Sequence, residues 1–370
     1  MSRSRGFWNK HRKRILIALG VLGSGYFIYK FYDSRKRRVL SQFEQQLQVE
    51  ELIRTQLQTH FENIQRISDT TTLPYAMHYL CARLSAELDL SHLTEKLMQG
   101  KSHSRDLMAK EKLELWEKLK ILSFTRTASS LWAMTMLSLY VRVQVNILGR
   151  HLYLEMANGA EVSNSQGESD SLNKHGQQDF LATADFLSTY RLGTLIKNMQ
   201  SATKEVLKEK QLKDPFSMSQ LHETIMLILE RFMNIGEPNY WISYLIPENA
   251  TAYRQLVVLS TDDPSVLMDV SKLDQLMSET RAVLLSPDFK NIALISLEKV
   301  VDVLIENINA LGGPIPPSGI PLAKLLPRVA QLSLPLLEEP SSNKFVPIIR
   351  NLPEVELFYT FLYANIPLAS

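Results

Sequence analysis

Residues 127–154 read TASSLWAMTMLSLYVRVQVNILGRHLYL, and whether they form a strand, a membrane span or a buried helix governs the architecture around them. Thr127–Val141 has no charged side chain, which raises the membrane. At ~1.5 Å per residue, however, that run reaches only about 22 Å, short of the ~30 Å hydrocarbon layer. It also contains Thr127, Ser129, Ser130, Thr135 and Ser138 and is bounded by Arg126 and Arg142. The pattern predicts the central buried helix of a soluble bundle. Val141, Val143, Val145 and Ile147 alternate as a strand would, whereas Leu137, Val141, Val145, Leu148 and Leu152 share one helix face. Continuity with the helical pattern upstream selects helix. Arg126, Arg142 and Arg150, at the borders of this run, are expected to find internal ion pairs or carbonyl partners.

Immediately upstream, Glu111–Phe124 reads as helix with two apolar faces. Leu115, Leu119 and Leu122 lie on one, and Leu113, Trp116 and Lys120 on an adjacent one. Farther back, 40–67 is a long amphipathic pattern, Thr70, Thr71 and Thr72 offer N-caps for a helix restarting at Leu73-Pro74, and Asp89 or Ser91 opens a short helix ending near Gly100. Lys101–Lys110 is a polar linker. Downstream, NGAEVSNSQGESDSLNKHGQQ (158–178) is poor in large apolar residues, so a flexible loop is expected over about 157–178. Helical periodicity resumes at 179–190, 192–210, 217–235, 265–285 and 288–311. GGPIPPSGIP (312–321) is a stiff connector, and 321–337 and 355–364 close the chain. No repeat period stands out. The expected fold class is all-α: a single elongated helical bundle preceded by one N-terminal transmembrane helix.

That helix is ILIALGVLGSGYFIYKFY, residues 15–32, long enough to span if Lys30 snorkels. Trp8, Tyr29 and Tyr32 sit where interfacial aromatics belong. No small-x-small cleavage site follows, which favours an anchor over a secretory signal. The expected organisation is a basic flank at 1–14, the anchor at 15–32 and a cytosolic helical body at 33–370. Charge does not orient it, because six Lys/Arg precede the apolar run and four follow. Gly20, Gly23, Ser24 and Gly25 fit a helix-helix interface or glycines merely tolerated in a span.

Residues 1–40 hold eleven Lys/Arg against one acid, Asp33. The remaining chain is mildly acidic, which argues against nucleic acid as a partner. The lone Cys81 forms no internal disulfide, as expected of a body in a reducing compartment. No phosphate-binding glycine loop occurs. His222-Glu223 opens a zinc-protease signature that fails because position 226 is Met. Cys81 and His78 are three residues apart, a spacing that fits a packed thiol beside a surface imidazole better than a catalytic pair. The sequence thus points to a binding protein, with no cofactor, metal or small-molecule substrate called for. Trp116, flanked by lysines on an amphipathic helix, is either ordinary core or an anchor for a partner's helix.

LELWEKLKILSFTR (113–126), SLYVRVQVNILGRHLYL (138–154), the opening FWNKHRKR, LGSGY, TTTLP, PLAKLLP (321–327) and FLYANIP together resemble the peroxisomal biogenesis factor 3 family, in its plant-like form. The similarity covers essentially the whole chain. It implies an N-terminally anchored, single-pass protein of the peroxisomal membrane, most of it cytosolic. Such a protein is a docking factor without catalysis that binds peroxisomal biogenesis factor 19, the receptor and chaperone for new membrane proteins, through that receptor's amphipathic N-terminal helix. Carried over by position, the family's partner-binding residues fall on Trp116, Lys112, Leu119 and Lys120, on Thr94 and Leu97 of the preceding helix, and on Lys324. Two other functions are weighed against this: a signal-anchored enzyme of lipid metabolism, and a tether for organelle-inheritance or pexophagy factors.

Overall fold

The computed structural model describes residues 51–52, 55–102, 109–159, 169–260, 270–339 and 342–365. The expected anchor at 15–32 and basic flank at 1–14 lie outside the described residues. The chain divides into two compact units, Met1–His60 and Phe61–Ser370. In the first, 55–60 are helical, with Thr59 Oγ1 donating to the carbonyl of Thr55 at 2.9 Å.

The second unit is organised by one helix, α3 (Ala109–Gly159), 51 residues long, or about 76 Å at ~1.5 Å per residue. From Ser123 to Gly149 every residue except Arg126 is buried. The apolar window within Lys110–Glu155 that passes a membrane test is wholly covered by the chain's own helices, as the serine- and threonine-rich pattern leads one to expect. Some of the buried polar groups find partners inside, whereas the hydroxyls of Ser123, Ser129, Ser130 and Thr135 have none among the described residues. Thr127 Oγ1 donates to Val329 O at 3.0 Å, Gln144 Nε2 donates to Phe180 O at 2.9 Å and to Thr183 Oγ1 at 2.7 Å, and Asn146 Nδ2 donates to Arg142 O at 2.7 Å. The expected ion pair of Arg142 is present. Its guanidinium meets Asp69 at 3.1 Å, Asp69 also holds Arg350 at 3.1 Å, and the Arg142 charge lies 5.7 Å from the centre of the buried Tyr359 ring.

Around α3 pack α1 (Leu73–Glu87), α2 (Ser91–Ser102), α4 (Ser169–Ala182), α5 (Leu192–Val206), α6 (Met218–Met233), α8 (Val270–Leu284), α9 (Pro287–Glu306), α10 (Leu322–Leu332), α11 (Phe345–Arg350) and α12 (Pro353–Asn365), with α7 (Ala250–Ser260) against α8. The described residues include one two-residue antiparallel ladder, β1 (Pro215–Phe216) on β2 (Ile320–Pro321).

Several elements differ from the sequence expectation. Thr72 makes no side-chain cap and no helix restarts there. A π-turn over Ser68–Thr72 carries the chain into α1 without leaving helical backbone, and such a widened turn accommodates Pro74, which has no N–H to give. The first turn of α2 is prepared as expected, by Asp89 Oδ1 accepting from the backbone N–H of Ser91 at 2.9 Å. Helix α3 runs to Gly159 and α4 begins at Ser169, so the loop expected at about 157–178 is helical at both ends, while 160–168 lies outside the described residues. The polar composition of α4 hides an anchor at its far end, where Phe180 is fully buried. Helices α7 and α11 were not apparent in the sequence. The first is started by Asn249 Oδ1 accepting from Ala252 N at 2.8 Å, and the second is only 6 residues long.

Candidate partner-binding surface

The first turns of α3 change from exposed to buried within three turns. Lys112 and Trp116 are partly exposed, Leu113 is 56% exposed, and Leu119 and Lys120 are buried. With 3.6 residues per turn, Lys112, Leu113, Trp116 and Lys120 share one side, Leu115 and Leu119 turn toward the bundle, and Glu111, Glu114 and Lys118 fall opposite. Trp116 is neither fully exposed nor enclosed: it is partly buried and packs against the core. An indole held this way presents a rigid apolar face at little rotamer cost. Leu113, beside it, is part of the same surface. Its position three residues before Trp116 is the signal that placed it on that face.

The other predicted residues take different parts. Leu119 and Leu97 are buried in the core, and α2 packs directly against α3. Thr94 Oγ1 donates within its own helix, with Leu90 O at 3.0 Å and Ser91 O at 2.9 Å. Lys120 does not reach solvent. Its Nζ donates to the carbonyl of Lys210 at 2.7 Å and pairs with Glu117 Oε2 at 2.7 Å. Lys324 is exposed in the first turn of α10.

The segment Leu207–Phe216 connects these positions. Beyond the Lys120 contact, Leu322 N donates to Asp214 O and Ala323 N to Leu212 O, both at 2.9 Å, and β1 pairs with β2 just ahead of α10. The start of α10, with Lys324, and the Trp116 turn of α3 are thereby fastened to the same ten-residue loop. Its close fit depends on Gly319, whose φ is +80° and where an added Cβ would lie 2.7 Å from the Phe216 backbone.

Elsewhere the chemistry matches a packed protein. Burial, assisted by Glu339, pushes the Cys81 thiol up to about 11, so it stays protonated and poorly nucleophilic. His78 is exposed and lies 3.7 Å from Glu339, and His222 contacts Asp302 at 3.0 Å. An open cleft of about 400 Å³ between the end of α6 and the start of α9 is lined by Glu230, Glu237, Asn239, Trp241 and Lys290. No group of three or more His, Cys, Asp or Glu able to hold a metal occurs among the described residues.

The chain is 48% identical over 370 residues to peroxisome biogenesis protein 3-2 of Arabidopsis thaliana, covering 98% of this chain and 99% of that protein. It is 28% identical to human peroxisomal biogenesis factor 3, covering 97% and 96% of the two chains. The peroxin-3 family profile matches residues 100–365, a span that holds the whole of α3 and the loop tied to it, and the chain belongs to the peroxin-3 family.

Proposed function

We propose that this chain acts in peroxisome biogenesis as the docking factor of the peroxisomal membrane. It is anchored by residues 15–32 with its body in the cytosol, and it receives the amphipathic N-terminal helix of peroxisomal biogenesis factor 19 so that new membrane proteins can insert. The family membership and the relatives' names support the biogenesis role. The observation that carries the docking role is the partly open apolar stripe of Leu113 and Trp116 on a helix that, about two turns later, from Ser123 on, is buried at every residue but Arg126 as far as Gly149. A helix so fully enclosed has no packing reason to leave an indole partly open, and an uncovered aromatic beside exposed lysines is the composition of an interface anchor. Lys112 and Lys324 then serve as rim charges, while Leu97, Leu119 and Thr94 hold the floor.

Tryptophan fluorescence tests this. Trp132 and Trp241 are buried and report little change in polarity. In the full chain carrying Trp8→Phe, adding the receptor's N-terminal peptide should blue-shift and strengthen emission from Trp116. No change at saturating peptide would contradict the placement.

A further inference from the structure

Lys120 lies one turn beyond Trp116 on the same side of α3, yet its side chain is only 4% exposed and its charge is spent on Glu117 and on the Lys210 carbonyl. The loop it grips also bonds the backbone of Leu322 and Ala323, beside Lys324. The loop and the last turn of α5 are rich in lysine. Lys204, Lys208, Lys210 and Lys213 are all exposed. Of the acids among them, Glu205 is paired with Arg231 at 2.8 Å, while Glu209 and Asp214, whose Oδ2 accepts from Gln211 N at 2.7 Å, offset two of the four lysine charges. The Lys210 ammonium lies 5.9 Å from the centre of the Phe216 ring. Lys208 and Lys213 have no ion pair among the described residues.

We infer that Lys208 and Lys213, held beside Lys324 by the Lys120 clamp, form an electrostatic extension of the docking surface that receives an acidic segment flanking the partner's amphipathic helix. The inference rests on the docking reading above and adds the loop, its charge preference and the polarity with which the partner lies along α3. An excess of cations at one end of an apolar stripe raises the encounter rate of an anionic partner and fixes its direction, while the stripe supplies the residence time. An anionic lipid surface would also attract lysines. The interposed Glu209 and the adjoining stripe favour a discrete peptide over a flat membrane.

The test uses the full chain in phosphatidylcholine nanodiscs and three amphipathic helical peptides alike except for a flank of Glu, Gln or Lys. In stopped-flow, the Lys208→Glu/Lys213→Glu variant should associate about tenfold more slowly with the Glu-flanked peptide at low salt and lose most of the salt dependence, with dissociation changed by less than about twofold. The Lys-flanked peptide should recover the rate on this variant. Trp116→Ala should instead speed dissociation of all three peptides alike. Charge reversal that leaves the Glu-flanked rate unchanged, or slows all three equally, overturns the inference while leaving the docking reading intact. Trp116→Ala without effect on any peptide removes the reading beneath it. If charge reversal abolishes only binding to phosphatidylserine vesicles, the loop faces lipid and the inference fails.

Discussion

The ammonium of Lys120 donates to the main-chain carbonyl of Lys210 at 2.7 Å, joining positions ninety residues apart in the sequence. A flexible surface lysine would do nothing of the kind. This one is drawn inward because the loop after α5 offers a carbonyl where Glu117 already supplies a counter-charge. Lys120→Met should therefore loosen Leu207–Asp214. We expect faster amide exchange in that loop and a stability loss of about 1.5–3 kcal/mol, the usual worth of a hydrogen bond to a charged group. Chemical denaturation with hydrogen exchange on the same sample checks both.

Gly319 and Gly193 predict opposite signs for the same change. At Gly319 a methyl group would strike the Phe216 backbone in a left-handed conformation, so Gly319→Ala should cost at least roughly 1–3 kcal/mol and release β1 from β2. At Gly193 nothing lies within 4 Å of the added methyl and the residue is helical, so Gly193→Ala should stabilise by about 0.4–1 kcal/mol. Paired thermal melts decide the matter.

Asp69 faces two arginines of unequal burial, with Arg142 at 5% and Arg350 at 43% side-chain exposure. Asp69→Asn strands the Arg142 charge inside the bundle and should cost about 3–5 kcal/mol. Arg350→Met removes only the exposed partner and should cost less than about 1 kcal/mol. Equal losses in denaturant titrations would show that burial does not set the difference.

His151 Nε2 lies 2.7 Å from Glu279 Oε2, tying α3 to α8. Burial opposes ionisation of Glu279, but the hydrogen bond and charge of His151, with Gln275 and Lys272, outweigh it and hold the carboxyl below its ordinary 4.5. A carboxyl whose folded value is depressed contributes stability above the unfolded value and loses it as pH falls through the folded one. Melting temperature should accordingly fall on acidification below about 4.5, and fall less steeply in Glu279→Gln. Parallel slopes for the two proteins would remove Glu279 from the acid response.

The parts of this fold legible in the sequence were those with long, continuous signals. Helix α3 could be read from the shared face of Leu137, Val141, Val145 and Leu148, and its burial from Ser129, Ser130 and Thr135 inside an uncharged run. Leu113 and Trp116 could be placed on one side of it by spacing alone. Lys120 could not be read as buried, because the carbonyl that draws it in comes from a loop far along the chain. The π-turn at Ser68–Thr72 was hidden for another reason, since Thr-Thr-Thr before Leu-Pro resembles a cap whether or not the backbone leaves the helix. The β1–β2 ladder is two residues on each side, too short to show a period. What makes it possible is Gly319, which in the sequence is one more glycine in a proline-rich connector.

The central claim is that a partner's helix covers Trp116. Titration calorimetry of the full chain with the receptor's N-terminal peptide, wild type against Trp116→Ala, tests it most directly. The account predicts a loss of ~2 kcal/mol or more in binding free energy with the helical circular dichroism spectrum retained, because Trp116 is only partly buried against the core. Unchanged affinity in a folded Trp116→Ala protein, or loss of the helical spectrum itself, would contradict it.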